Sequence, residues 1–269
     1  MKGSLSQLMF LDQVMNFLKA KEKVSLIQNA LNKHEINESL RAKMVDWMIE
    51  VITKFELSIK TFFLSVKIMD KYLQLSCTQH MNNDILLIGI TCMFIATKLE
   101  DVVSCRLKTF VRAIGHGKIK AQDIINMEKI ILITLGFEID MPVCVDFLTL
   151  ICGIYGVPDY IRKATENLLI IFQLFSNLQN HPSLETGCAL YLASKFLNFE
   201  LNQEIILFLS SSTDFSNRVH FMKEQLYLHN EGIKKYKNAF LYTNFELVTS
   251  NSCLYFKYLS DEEIIINAQ

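Results

Sequence analysis

The segment from Asn82 to Asp101, NNDILLIGITCMFIATKLED, limits the possible fold more than any other part of the chain. Its middle, Ile85 to Ala96, carries no charge and would be apolar on every side of a helix. A helix of this kind must be enclosed by other elements. The run is 12 residues long, which is too short to span a bilayer. We therefore expect it to form the central helix of a globular helical domain.

Apolar residues recur at helical spacing on both sides of this segment. A polar stretch, Asn32 to Ser39, precedes the helix LRAKMVDWMIE, with Asn37 or Ser39 as its N-cap. Gly136 is suited to the end of a helix and Pro142 to the start of the next one. The remaining helices predicted in this half are a leading amphipathic helix over Leu5–Lys21 and helices over Ser58–Leu75, Leu107–Ile114 and Ala121–Thr134.

The second half of the chain repeats this plan. MFIATKL, which begins at Met93, is matched by LYLASKF, which begins at Leu190, 97 residues later. Each of Pro142, Pro158 and Pro182 stands just before or at the start of a helical run. The sequence therefore predicts two successive five-helix blocks related by duplication.

Composition excludes several classes of protein. With 9 Gly and 3 Pro in 269 residues, a turn-rich all-β fold is excluded. A formal charge of −1 gives no electrostatic basis for binding nucleic acid, and no cluster of Lys and Arg indicates a membrane surface. The 7 cysteines form no CxxC pair, the histidines are scattered, and no glycine-rich phosphate loop occurs. We expect an intracellular protein that is not an enzyme and needs no cofactor or metal.

Several of these segments resemble the cyclin box of the cyclin family. LRAKMVDWMIEV is similar to its first helix, KIMDKYL to its second, LLIGITCMFIATKLED to its third and INMEKIILITLGFEI to its fifth. HPSLETGCALYLASKF and IKKYKNA are similar to the C-terminal fold of A- and B-type cyclins, although ITCMFIATK is also similar to D-type cyclins. The five characteristic positions of the box carry the expected residues, which are Arg41, Asp70, Leu87, Lys98 and Glu128.

The resemblance implies an all-α fold of two tandem five-helix cyclin folds with a leading N-terminal helix. Its expected parts are a helix and linker over 1–36, the cyclin box over 37–140, the C-terminal fold over 141–242 and a surface tail over 243–269. The resemblance also implies an internal ion pair between Arg41 and Asp70. Without it, both side chains would be interpreted as solvated surface charges.

The same resemblance implies that the chain forms a heterodimer with a cyclin-dependent protein kinase. In cyclins, the equivalents of Lys98 and Glu128 lie together and bind backbone groups of the kinase. The expected apolar surround is Leu99, Leu132, Phe137 and Ile139, to which Val14 and Phe17 of the leading helix are added. Cyclins usually have an aromatic residue at the position of Leu99. Val14 and Phe17 could equally pack on the second fold.

A second cyclin surface is a groove for substrate or inhibitor peptides. Its expected residues here are Leu40, Met44, Trp47 and Glu50, although Met44 and Trp47 could equally be core. Lys43 stands where the family has an apolar residue, and Leu86 where A-type cyclins have glutamine. We therefore expect a groove of altered specificity.

These comparisons indicate a mitotic-like cyclin, expected in nucleus and cytoplasm, that activates its kinase in cell-cycle control. The alternative is a cyclin-fold scaffold or transcription-associated protein that does not activate a cell-cycle kinase. None of the five arginines begins an Arg-x-x-Leu motif, and no Lys-Glu-Asn occurs. If the sequence is complete, we expect its destruction to be signalled differently or to be absent.

Overall fold

A computed structural model describes residues 5–103, 105–114, 119–175, 181–210, 214–228 and 235–243. These residues form helices and loops and contain no strand. The predicted all-α fold of two five-helix sets with a leading helix is confirmed. The predicted surface tail lies outside the described residues, apart from Thr243.

The first five-helix set is built around a helix that is buried from Ile88 to Thr97. Its members are α2 (Glu38–Lys54), α3 (Ile59–Leu75), α4 (Asp84–Glu100), α5 (Leu107–Thr109) and α6 (Ala121–Thr134). The central helix is α4, which packs against α3, α6 and α2. Asn37 caps α2 by accepting a hydrogen bond from the Leu40 amide at 2.8 Å. The helix predicted at 107–114 has only one α-helical turn and continues as a π-helical turn over Phe110–Ile114.

The second five-helix set has the same plan as the first, with its third helix in the centre. Its helices are α7 (Cys144–Tyr155), α8 (Asp159–Phe172), α9 (Pro182–Phe196), α10 (Gln203–Ser210) and α11 (Phe215–Leu228), followed by α12 (Lys237–Thr243). The central helix is α9, which packs against α8, α7 and α11. Pro158 directly precedes α8 and Pro182 is the first residue of α9, where no intrahelical N–H bond is lost.

The leading helix α1 spans Leu5–Val24. The described residues divide into two compact units, which are called the first and the second unit below; the first contains 21–143 and 173–175. The other contains 5–20, 144–172 and the described residues from 181 to 243. Among the described residues, no helix is both long and apolar enough to cross a membrane.

Candidate functional site

Lys98 and Glu128 form an ion pair at the surface of the first unit. Lys98 lies in the last turn of α4 and Glu128 in the middle of α6, so the packing of these two helices brings them together. The Lys98 ammonium bonds to Glu128 Oε1 and lies 4.2 Å from the centroid of the Phe94 ring. The side chains are 39% and 16% exposed, so a partner can reach both. Neighbouring apolar groups nevertheless exclude part of the water.

The apolar residues predicted to surround the pair differ in exposure. Leu99 and Phe137 are exposed, whereas Leu132 and Ile139 are half-buried. Leu132 lies one helical turn beyond Glu128 on α6, and Leu99 follows Lys98 directly. These four residues together with Lys98 and Glu128 are called the docking surface below. Its fixed charges and exposed apolar area are features of a protein-binding site.

The end of α6 positions Phe137. The Gly136 amide donates to Ile133 O at 3.0 Å and the Phe137 amide to Leu132 O at 2.9 Å, which is a Schellman arrangement. Gly136 has φ +60°, which glycine adopts without strain, but Phe137 also has a positive φ of +63°. A bulky residue rarely adopts this conformation. The turn therefore holds an aromatic side chain that is 67% exposed in a strained backbone position.

Two further exposed apolar residues, Val102 and Val103, follow the end of α4. Sequence reasoning missed them, although two adjacent valines shortly after Lys98 and Leu99 were a usable signal.

Arg41 and Asp70 are almost completely buried. Arg41 Nε donates to Asp70 Oδ1 and Arg41 Nη2 to Asp70 Oδ2, both at 2.7 Å. Arg41 Nη1 donates to Gln173 O at 2.9 Å. The side chains are 0% and 2% exposed, so the pair lies inside the fold and links α2 to α3.

The predicted peptide groove is only partly accessible. Leu40 and Trp47 are half-buried and Glu50 is exposed on α2. Met44, however, is a core residue, packed so closely over Gly89 of α4 that a Cβ there would collide with it. Lys43 is exposed and Leu86 half-buried, so the ammonium predicted to alter the groove faces solvent.

Val14 and Phe17 belong to the part of α1 that is grouped with the second five-helix set. Val14 is half-buried, whereas more than half of the Phe17 side chain is exposed. The structure therefore places them in a different unit from the docking surface.

Sequence reasoning also missed a buried carboxyl in the second unit. Glu185 Oε1 accepts from Arg218 Nη2 at 3.0 Å, and Glu185 Oε2 accepts from the Cys144 thiol at 3.7 Å. Burial raises the pKa of Glu185 to about 7, and Arg218 counteracts part of this effect. Among the described residues, no group of three or more His, Cys, Asp or Glu side chains could hold a metal ion.

A profile of the cyclin N-terminal domain matches residues 13–140. G2/mitotic-specific cyclin-B of Dictyostelium discoideum is 29% identical over 189 residues, which are 69% of this chain and 43% of that protein. G2/mitotic-specific cyclin-A of Hydra viridissima is 33% identical over 142 residues, which are 52% of this chain and 33% of that protein. Residues 13–140 are thus a cyclin N-terminal domain, and the chain resembles A- and B-type cyclins.

The A/B-type resemblance predicted from the sequence is thereby confirmed. The chain spans less than half the length of these two relatives. Its fold is similar to that of a viral cyclin from herpesvirus saimiri, with a TM-score of 0.69 and 24% identity. The similarity covers 79% of this chain and 96% of the viral protein.

Proposed function

We propose that this cyclin is the regulatory subunit of a cyclin-dependent serine/threonine kinase, which it binds and activates in mitotic cell-cycle control. The observation that supports this proposal most strongly is the Lys98–Glu128 pair within the docking surface. Two helices of one five-helix set fix both charges, so little conformational entropy is lost when they bind a partner.

The pair can bind a backbone without recognising side chains. The Lys98 ammonium can donate to a carbonyl of the partner, and the Glu128 carboxylate can accept from an amide. Such charge-assisted hydrogen bonds are stronger than neutral ones. Because Leu99 and Phe137 would cover them in a complex, these bonds would be shielded from competing water.

The cyclin would supply no catalytic group to the reaction. As in the cyclins that it resembles, binding would favour the kinase conformation whose regulatory helix is turned inward and whose activation loop is released. The size of the shift in population depends on the difference in affinity for the two kinase conformations.

A phosphorylation assay tests this proposal. The purified cyclin is mixed with a monomeric cyclin-dependent kinase from the same organism, and phosphate transfer to histone is measured. Removal of either charge should weaken binding by about 2–5 kcal/mol, or about 30-fold to several thousand-fold. We expect Lys98→Ala and Glu128→Ala to lose activation at cyclin concentrations that saturate the wild-type response.

The internal repeat provides a matched control. Lys195 is the counterpart of Lys98 in LYLASKF and lies 5.5 Å from the centroid of the Tyr191 ring, as Lys98 lies over Phe94. Lys195→Ala should leave activation unchanged. If the wild-type cyclin activates none of several such kinases, the scaffold alternative becomes the better interpretation.

A further inference from the structure

Two histidines from separate connecting segments meet inside the first unit. His34 lies between α1 and α2, and His80 lies between α3 and α4. Their ring centroids are 5.2 Å apart, and the Tyr72 ring of α3 lies 5.3 Å from the ring of His80. His34 is half-buried and His80 is 6% exposed. Neither histidine belongs to the docking surface.

Backbone partners fix the protonation state of His34. Its Nε2 lies 2.7 Å from Leu73 O, and because a carbonyl oxygen can only accept, Nε2 must carry a hydrogen. Its Nδ1 accepts a hydrogen bond from the His80 amide at 3.1 Å, so Nδ1 carries none. The two contacts together require a neutral His34 ring with its hydrogen on Nε2.

A further backbone bond joins the same two segments. The Glu35 amide donates to His80 O at 3.0 Å, so both backbone polar groups of His80 are bonded to residues 34 and 35. This bond and the two contacts of His34, with Leu73 O and the His80 amide, are called the histidine latch below. The latch holds the chain just before Asn37, the N-cap of α2, against the end of α3 and the loop that leads into α4.

The surroundings of His80 disfavour a positive charge. Burial lowers the pKa of His80, the neighbouring His34 lowers it further, and Asp84 counteracts part of this effect. The Asp84 Oδ2 atom at the start of α4 lies 3.6 Å from His80 Nδ1 and also accepts from the Met81 amide at 2.8 Å. The carboxylate that could stabilise a protonated ring is therefore shared with the backbone.

Other ionisable groups near the latch do not offset this preference. Tyr72 faces His80 from α3, and because burial raises its pKa it is neutral throughout the range in which histidine titrates. Lys33 and Glu35 are next to His34 in the chain, carry opposite charges and are exposed. The latch is thus built for two neutral rings.

We propose that the histidine latch is a pH-sensitive contact, closed while both rings are neutral and opened when His34 is protonated. A hydrogen on His34 Nδ1 would point at the His80 amide hydrogen, so one hydrogen bond would be replaced by two opposed donors. An unpaired buried amide is costly, so the ring and the loop should separate and release the Glu35 bond as well. This inference does not depend on kinase binding.

The direction of the pH dependence follows from His80. Its pKa in the folded state lies below the ordinary value of 6.5, so the fold favours the neutral ring. The stability that the latch provides is therefore full above pH 6.5 and is lost progressively as pH falls below it.

The protonation state is measured on the wild-type chain labelled with ¹⁵N-histidine. Long-range ¹H–¹⁵N spectra distinguish the two neutral tautomers from the charged ring, and the spectrum of His34→Asn assigns the His34 signals. At about pH 7.5 we expect a neutral His34 with its hydrogen on Nε2. A His34 that carries hydrogens on both nitrogens at this pH overturns the proposal.

Amide hydrogen exchange of residues 76–84, followed by mass spectrometry, measures the opening. The measured quantity is the ratio of protection at about pH 7.5 to protection at about pH 5.5, corrected for the intrinsic pH dependence of exchange. His34→Asn is the test variant, because the asparagine oxygen can replace Nδ1 as acceptor and does not titrate in this range. His220→Asn is the matched control, since His220 is exposed on α11 in the second unit.

We expect a ratio of at least about fivefold in wild type and in His220→Asn, the equilibrium equivalent of one net hydrogen bond. In His34→Asn the ratio should fall to within about twofold of unity. A ratio in wild type that is no larger than in His34→Asn refutes the latch as a pH-sensitive contact. The same result would leave the proposed function untouched, because no kinase takes part in either measurement.

Discussion

The Arg41–Asp70 pair gives the most quantitative prediction about stability. Arg41 donates three hydrogen bonds of 2.7–2.9 Å, two of them to Asp70, in a site that is at most 2% exposed. Asp70→Ala would leave the buried guanidinium with only Gln173 O among these partners. Breaking a buried pair by removing one partner costs about 3–5 kcal/mol. Because domains are typically stable by about 5–15 kcal/mol, the loss is a large part of the total.

Urea unfolding followed by tryptophan fluorescence measures this loss. The chain has a single tryptophan, Trp47, which lies on the same helix as Arg41 and reports on the first unit. Asp140→Ala is the control in this unit, because Asp140 is 79% exposed in its pair with Lys21. Exposed pairs are worth about 0–1 kcal/mol. An Asp70→Ala cost no larger than that of Asp140→Ala would refute the reasoning.

A double variant separates charge from packing. Arg41→Met combined with Asp70→Leu removes both charges and fills the site with apolar side chains. If the cost of Asp70→Ala comes from an uncompensated charge, the double variant should be clearly more stable than the single one. Equal losses would show that the guanidinium is needed for packing.

Three further predictions concern single positions. Phe137→Asn should raise the free energy of unfolding by up to about 1 kcal/mol, because asparagine tolerates a positive φ; a thermal melt checks this. The same variant should weaken kinase binding, which a titration checks. Glu185 has a pKa of about 7 against an ordinary value of 4.5, so its contribution to stability is full below pH 4.5 and is lost as pH rises through 7. Glu185→Gln should abolish this loss of stability, which is on the order of 3 kcal/mol in wild type. Urea unfolding of variant and wild type, followed by circular dichroism from pH 5 to 8, measures the difference. Gly89→Ala should destabilise the first unit by about 1–2 kcal/mol, because the new methyl group displaces the buried Met44 side chain. Adding Met44→Ala removes this collision but also removes core packing, so the double variant should not regain the stability of wild type.

Local signals predicted much of the first unit. The helix predicted at Ala121–Thr134 has these bounds in the structure, because Gly136 marks its end. Asn37, one of two predicted caps, caps α2 because its side chain can accept from the helix amides. The central position of α4 followed from its apolar surface on all sides. These features depend on few neighbouring residues and are therefore readable in one sequence.

Long-range contacts were not readable in this way. Periodicity alone favours solvated positions for Arg41 and Asp70, and only the family resemblance predicted their pairing. Gln173 O lies 132 residues from Arg41 and is a backbone atom, so no residue type signals its role. The positive φ of Phe137 goes against local preference and depends on how the chain leaves α6. The cavity of about 420 Å³ between the end of α1, the end of α3 and the segment after α6 needs three distant segments, and its shape follows only from their packing.

The central claim is that Lys98 and Glu128 hold a kinase. Its most direct test is the dissociation constant of the purified protein with a monomeric cyclin-dependent kinase from the same organism, measured for wild type, Glu128→Ala and Lys195→Ala. We predict that the wild-type complex forms, that Glu128→Ala weakens it by at least about 30-fold and that Lys195→Ala leaves it unchanged. The claim would be contradicted if Glu128→Ala bound the kinase as tightly as wild type does, or if wild type formed no complex with any such kinase.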